Sequence, residues 1–551
     1  MAGGQTRRMK SVLSGFVLLL LILLIFSFSF AAAEVNPEPY DRVIIFGVDG
    51  AGTMIQEGDT PNFDRIFSDG IITYNAYAPV PTVSAPGWGS VFYGVPGIVH
   101  GAANNISERF HKTNDLYTSI FKLAKETYPE AEVASFSTWS AINWGMIERD
   151  CGIYLYPDIQ KESTEEEIVQ QAVDYLENNN PELLFVYFGD LDTALHHYGY
   201  GSPKYFKQMT KTDEQIGLVY DELVRRGLLE NTLIIFITDH GGNGVSHGGG
   251  SDKETRITFA VAGPRIEAPG TIIEDMEIQD VAAIVLYALG IEQPEYQTGR
   301  VPKGIFPGVG GGKRRKSDMQ ERMVHYGKGI ANQDDTELNL PPALADKLVY
   351  YQGFDGKIKG LSGKKELSPG LAGNGLNMRN SFLKTGIKHS AKWPGMTIGF
   401  WFKDEGKDPG DAVFVADKSW RLGHYKGFMI SMNIDELQVN VGGGKKYRGD
   451  LLWNLPPDYE GKWIHCLVVF DQSTQMVSLY FNFECVAKAK LLPAKHSTWV
   501  TGKGIIAGQD TTGKYRYWMK ADMDDLMIFN QPLTAEEVEE IRNSYEVFFT
   551  E

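Results

Sequence analysis

Between Arg42 and about Phe306 the chain alternates short, nearly unbroken apolar runs with amphipathic stretches. Val43–Phe46, Val133–Phe136, Leu183–Tyr187 and Leu233–Ile237 read as strands buried on both faces. Thr164–Asn178 and Gln208–Arg226 carry a helical period, and Thr164 stands at capping-box spacing from Glu167. Buried strands separated by helices predict an α/β sheet covered on both sides. After about Lys347 the pattern changes. Met396–Phe402, Trp463–Phe470 and Val477–Phe481 are strand-length segments parted by Gly, Asp and Asn turns. Only Thr534–Tyr545 is plainly helical there, with Thr534 as N-cap and Glu537 completing a capping box. This half therefore predicts an all-β sandwich closed by a terminal helix. Between the two textures lie Gly308, Gly310, Gly311 and Gly312, then the basic run Lys313–Lys316. They read as a solvated linker, with a processing site as the alternative. The expected organisation is a targeting segment over 1–33, an α/β domain over 34–307, a linker over 308–346 and a β-sandwich over 347–551.

Composition adds little to this division but narrows the partners. Of 551 residues, 43% are hydrophobic and 12% aromatic, enough for packed cores and too many for a disordered chain. The formal charge of −17 is uneven: about +3 over 1–33, about −22 over 34–307 and about +2 over 308–551. So acidic a domain repels a phosphate backbone, and no polymer nucleic acid is expected as a partner. Its carboxylates are instead available as metal ligands. At the N-terminus Arg7, Arg8 and Lys10 precede an apolar run from Val12 to Phe30 that ends in Ala31, Ala32 and Ala33. That pattern predicts a secretory signal and an extracellular protein; the run is also long enough for an uncleaved membrane anchor. Three cysteines cannot make a disulfide framework. Simple hairpin register places Cys466 near Phe481, away from Cys485, so no structural disulfide is expected.

Candidate chemistry gathers where strands end. Asp49 follows the first apolar run; alone, an Asp there is commonly a turn residue. Asp192 and His196 follow the run at 183–187 and stand one helical turn apart. Asp239 and His240 follow the run at 233–237, and His247 comes soon after. Ligands collect at the carboxyl ends of strands in open α/β sheets, so these residues are expected to converge. Mixed imidazole and carboxylate donors suit zinc better than calcium or magnesium. Ser84 lies in a segment of small residues, Pro81–Ser90, that by itself ranks as a loop. Near a bound metal its hydroxyl is a candidate nucleophile.

Taken in chain order, Asp49-Gly50, Thr60-Pro61-Asn62-Phe63, Pro81-Thr82-Val83-Ser84-Ala85-Pro86, His100-Gly101, Asp192 with His196 and Gly199, Asp239-His240-Gly241, His247-Gly248 and Gly299-Arg300 resemble the alkaline phosphatase superfamily. The nearest branch is the type I phosphodiesterase/nucleotide pyrophosphatase family, over about 42–307. The resemblance implies an alkaline-phosphatase-like α/β/α sandwich holding two zinc ions. One would be bound by Asp49, Asp239 and His240 and would activate Ser84, itself a metal ligand. The other, on Asp192, His196 and His247, would face the phosphoryl oxygens. Ser84 would attack phosphorus in line, and water would then hydrolyse the phosphoserine ester. Asn105 matches the family asparagine that donates to a non-bridging oxygen; it also opens the glycosylation sequon Asn105-Ile106-Ser107, and the two readings compete. Two departures matter. The family usually has threonine as nucleophile with an aromatic residue after it, whereas Ala85 follows Ser84 and offers no platform for a nucleotide base. The segment Ala85-Pro86-Gly87-Trp88 also lacks the arginine of a sulfatase signature, which argues against that branch.

Residues from about 347 to 550 resemble a laminin-G-like, concanavalin-A-type jelly roll, carried by Gly353–Gly356, Met396–Lys403, Gly461-Lys462-Trp463 and Met523–Phe529. Trp401 and Phe402 are expected in its core. Trp420, Tyr425, Tyr447 and Tyr515 are loop-like aromatics suited to stacking on sugars, so structural support and binding of a glycan or surface protein are both open. The leading expectation is a secreted, zinc-dependent hydrolase of phosphodiester or pyrophosphate bonds in a small phosphate-ester or nucleotide-like substrate. The alternatives are a phosphomonoesterase on the same scaffold and a non-catalytic glycan-binding surface protein.

Overall fold

The computed structural model describes residues 38–315 and 340–545, except 113, 150, 372, 405–409, 411, 422–423, 445–446, 457–458 and 493–498. The apolar run at 12–30 and most of the linker lie outside the described residues. No helix among the described residues is long and apolar enough to cross a membrane.

The first domain is built on a seven-stranded sheet: β1 (Arg42–Val48), β2 (Ile71–Tyr77), β3 (Val133–Ser137), β4 (Tyr154–Tyr156), β5 (Leu183–Phe188), β6 (Thr232–Ile237) and β7 (Arg256–Ala262), in the order β2-β7-β6-β1-β5-β3-β4. β1 is central and pairs in parallel with β5 and β6; β7 pairs antiparallel with β6 and β2. The unbroken apolar runs follow from double coverage. In β1, Val43 and Ile45 enter one core while Ile44, Phe46 and Val48 enter the other. One face is covered by helices including Glu165–Asn178 and Pro203–Arg225, the other by Ser84–Tyr93 and Asp280–Ala288. The capping box at Thr164 and Glu167 is formed.

The second domain is two antiparallel sheets of eight and seven strands, a concanavalin-A-like sandwich. In the strand Gly395–Asp404, Phe400 and Phe402 point into the core between the sheets. Trp401 faces outward and is buried under the helix Ala535–Tyr545, against Tyr545 and Leu467. That helix keeps its capping box: Glu537 N donates to Thr534 Oγ1 at 3.3 Å, and Thr534 N to Glu537 Oε2 at 3.0 Å. Cys466 pairs with Phe481 and Cys485 with Tyr480, and none of the three cysteines forms a disulfide.

The sandwich docks on the stretch just after the helix Ser84–Tyr93. Asp115 N donates to Lys488 O at 2.7 Å, and Asn114 exchanges side-chain hydrogen bonds with Val486 O and Lys488 N. Gly101 has φ +67°, and a Cβ there would come within 2.2 Å of Trp453 Cδ1. The indole needs the backbone that close, so glycine is required twice over.

Candidate active site

The carboxyl ends of β1, β5 and β6 meet at one point on the sheet edge. Asp49 follows β1, and its N–H donates to Phe188 O at 2.9 Å, extending the β1–β5 ladder by one bond. Gly50 then turns the chain with φ +67°, and its N–H donates to Asp239 Oδ1 at 3.1 Å. A Cβ on Gly50 would lie 2.9 Å from Asp192 Oδ1, so only glycine lets β1 approach the second carboxylate. Asp192 and His196 lie on the helix Asp190–Tyr198, one turn apart, with His196 Nε2 at 3.3 Å from Asp192 Oδ2.

The imidazoles are oriented alike. His240 Nδ1 lies 2.9 Å from Gly241 O, His196 Nδ1 lies 3.0 Å from Val245 O, and His247 Nδ1 lies 2.8 Å from Thr82 O. A carbonyl can only accept, so each ring carries a proton on Nδ1 and turns its Nε2 inward. Those Nε2 atoms meet carboxylates. His240 Nε2 is 3.2 Å from Asp239 Oδ2 and 3.4 Å from Asp49 Oδ1; His247 Nε2 is 3.7 Å from Asp192 Oδ1. His196 and His247 bring their Nε2 atoms within 3.0 Å of each other, so the pair shares one proton there at most.

Such a cluster is unstable by itself. Asp49 Oδ1, Asp239 Oδ2 and Asp192 Oδ1 are buried without a hydrogen-bond donor. Burial, and then the charge of Asp192, pushes the Asp49 carboxyl up to about 7; burial and the charge of Asp49 raise Asp239 well above the usual range. Burial also holds His240 down to about 3, so it supplies no counter-charge. Desolvated carboxylates beside inward-facing imidazole nitrogens fit a divalent cation. The donor atoms form two sets that share His240: Asp49, Asp239 and His240, and Asp192, His240 and His247, each within 4.8 Å. The sequence pairs His196 with the second set. Here His196 sits at its outer edge, and its hydrogen bond to Asp192 lifts its imidazole to about 9.

Ser84 is the first residue of the helix Ser84–Tyr93, and its Oγ lies 3.5 Å from His240 Nε2. The expected loop is thus the start of a ten-residue helix whose free N–H groups favour negative charge at the hydroxyl. Together with Asp49 and Asp192, Ser84 lines a cleft of about 340 Å³. Asn105, the asparagine expected to face the phosphoryl group, does not line this cleft. The asparagine in that cleft is Asn104, whose Oδ1 accepts from Ala85 N at 2.9 Å, leaving its NH2 as a donor. Asn105 is one residue further round the short helix Asn104–Ser107, so its side chain turns away, and its Nδ2 reaches Glu436 Oε2 of the sandwich at 3.3 Å.

Several supporting residues carry no sequence signal. Trp88 Nε1 and Tyr187 OH both donate to Asp49 Oδ2, at 3.0 and 2.5 Å, which aims Oδ1 at His240. Trp88 is four residues after Ser84, hence on the same helix side, which is the one hint available. Thr82 ties the Ser84 segment to the His247 loop, donating to Gly249 O at 2.7 Å and accepting from Gly248 N at 3.1 Å. His100 is structural: it is buried behind the helix, accepts from Ala102 N at 3.0 Å, and is held by burial down to about 3.

Residues 43–258 match the family model "Type I phosphodiesterase / nucleotide pyrophosphatase", and residues 383–539 match "Concanavalin A-like lectin/glucanases superfamily". The chain is 23% identical over 184 residues to GPI ethanolamine phosphate transferase 1 of Saccharomyces cerevisiae, covering 30% of this chain and 19% of that protein. It is 29% identical over 122 residues to choline-sulfatase of Rhizobium meliloti, covering 21% of this chain and 24% of that protein. The chain thus spans less than a quarter of either relative. Among solved structures it is similar to murine ectonucleotide pyrophosphatase/phosphodiesterase 5, at 14% identity and TM-score 0.39, covering 46% of this chain and 96% of that one. Residues 43–258 therefore form a type I phosphodiesterase/nucleotide pyrophosphatase domain, followed over 383–539 by a concanavalin A-like domain.

Proposed function

We propose that the first domain cleaves phosphodiester or pyrophosphate bonds with Ser84 as nucleophile and two zinc ions as cofactors. The observation that carries this reading is the set of three imidazoles, each with Nδ1 committed to a backbone carbonyl and Nε2 turned to unsatisfied carboxylates beside Ser84. Asp49, Asp239 and His240 would hold one cation; Asp192 and His247, with His196 at the edge, the other. When bound, such cations lower the pKa of a serine hydroxyl and offset charge that builds on phosphoryl oxygens.

The chain's own groups do the rest. Ser84 Oγ attacks phosphorus as the bond to the leaving group breaks, and the serine proton leaves with the departing alcohol or phosphate. Helix N–H groups around Ser84 and the Asn104 amide favour the extra charge on the non-bridging oxygens. Water then cleaves the phosphoserine ester and regenerates the hydroxyl. Ala85 puts no aromatic ring directly after Ser84, and the half-buried aromatic ring in the cleft is that of Trp139. Similarity to the yeast GPI ethanolamine phosphate transferase supports a second reading, in which an alcohol takes the phosphoryl group in place of water. We place the mature protein outside the cytosol on the basic, apolar and small-residue order of positions 1–33.

The test is hydrolysis of bis(4-nitrophenyl) phosphate beside 4-nitrophenyl phosphate by zinc-loaded protein, with Ser84→Ala as control. Ser84-dependent preference for the diester supports the assignment; preference for the monoester moves it to a phosphomonoesterase. Loss of neither activity in Ser84→Ala would remove Ser84 from the chemistry. Adding glycerol and measuring the ratio of glycerol phosphate ester to free phosphate ester separates transfer from hydrolysis.

A further inference from the structure

Arg109, just past the helix Asn104–Ser107, meets the sandwich across a second cleft of about 330 Å³. The sandwich contributes Lys418, Arg421 and Arg448, so four lining residues are cationic; among the described residues no carboxylate lines it. Its floor is built, not a scatter of surface lysines. Asp450, behind the lining, accepts four bonds: from Arg448 Nε at 2.6 Å and Nη2 at 2.9 Å, from Gln438 Nε2 at 2.7 Å and from Asn440 Nδ2 at 2.6 Å. The Lys418 ammonium donates to Asn440 Oδ1 and is only 1% exposed, and burial pulls it down to about 7. Trp420 forms part of the wall. Its backbone N–H donates to Asp510 Oδ2 at 3.0 Å, and its ring packs 5.7 Å from that of Tyr515.

We propose that this cleft binds a saccharide unit bearing an anionic group, and that both domains are needed to form it. Guanidinium forks recognise carboxylate, sulfate and phosphate by paired hydrogen bonds, and an indole offers an apolar face to a sugar ring. The amides of Gln438 and Asn440 suit hydroxyl groups. The volume lies within the range of small-ligand sites. Three of the four cationic side chains, Arg109, Arg421 and Arg448, are exposed, and Arg109 comes from the hydrolase domain. Glu108 lines the hydrolase cleft and Arg109 lines this one. On the reading given above for Ser84, an acidic glycan held here belongs to the substrate, presented by a single turn of chain.

Binding is measured by calorimetry with the full chain carrying Ser84→Ala, so that the outcome does not depend on turnover. The probes are mannose 6-phosphate, a glucuronic acid disaccharide, a sulfated disaccharide, neutral mannose and inorganic phosphate. At least one charged sugar is expected to bind tenfold or more tighter than both mannose and inorganic phosphate, and the best one identifies the anionic group. Arg109→Ala combined with Arg421→Ala, both exposed and so compatible with folding, should weaken it at least tenfold; Trp420→Ala should weaken it as well. The proposal is overturned if no charged sugar binds, if inorganic phosphate binds as tightly, or if the double variant, shown to be folded by its melting curve, binds like its parent.

Discussion

Tyr187→Phe is the sharpest probe of the metal reading, because it deletes one oxygen and leaves the packing alone. The ring stays against Trp88, 5.2 Å away in an edge-on arrangement, and only the 2.5 Å bond to Asp49 Oδ2 is lost. Trp88 Nε1 then holds that oxygen by itself. A buried hydrogen bond to a charged acceptor is worth about 1.5–3 kcal/mol. At about 1.4 kcal/mol per decade, that weakens a cation held by Asp49 roughly 10- to 150-fold. The loss also removes a bond that lowers the Asp49 carboxyl, already pushed up to about 7, so protons compete harder for the same oxygen near neutral pH. Competition with a chromophoric chelator at fixed pH gives the affinity of each of two zinc ions. One should weaken by the stated factor while the other changes far less. Equal affinities in wild-type and variant protein would refute the claim that Tyr187 positions a ligand.

Other residues give independent checks. Asn104→Ala is expected to lower kcat by about 10²- to 10³-fold, as loss of one oxyanion donor does, whereas Asn105→Ala should stay within a few-fold; steady-state kinetics on the diester decides which asparagine faces the phosphoryl group. Gly101→Ala puts a Cβ 2.2 Å from Trp453 Cδ1 at a left-handed φ and should loosen the interface between the domains, seen as faster limited proteolysis and a melting transition lowered by several degrees. His465 is fully buried in the sandwich, stacked on Phe483 at 4.0 Å, and burial holds it down to about 3. The unfolded chain therefore binds a proton below about pH 6.5 that the folded one refuses, so stability falls with pH from about 6.5 toward 3, by about 3 kcal/mol at pH 4. His465→Phe should flatten that slope in urea unfolding of the sandwich; an unchanged slope would exclude His465 as its source.

The sequence carried the sheet and the meeting of Asp and His residues at its strand ends more fully than the groups that orient them. Val43–Phe46 and Leu233–Ile237 are legible as strands because coverage on both faces demands unbroken apolar runs, and an Asp or His directly after such a run marks its carboxyl end. The pairing of Cys466 with Phe481 was likewise readable, since a short hairpin fixes its own register. Asn104 and Asn105 were not separable, because one residue of helix rotates a side chain by about 100° and spacing alone does not fix that phase. Tyr187 is hidden for a different reason: within Leu183–Phe188 a buried tyrosine looks like any other core residue until its hydroxyl is seen to meet Asp49. The second cleft unites Arg109 with residues more than 300 positions away, a juxtaposition that only docking of the domains creates.

The central claim, that Ser84 takes the phosphoryl group onto its own oxygen, is tested most directly by trapping that ester. Zinc-loaded protein is mixed with bis(4-nitrophenyl) phosphate, quenched in acid at successive times and digested for mass spectrometry. The account predicts a 4-nitrophenylphosphoryl group on the peptide containing Ser84, appearing with the first equivalent of nitrophenolate and absent from Ser84→Ala, which should also lose about 10³-fold or more in rate. Undiminished turnover by folded, zinc-loaded Ser84→Ala would contradict it.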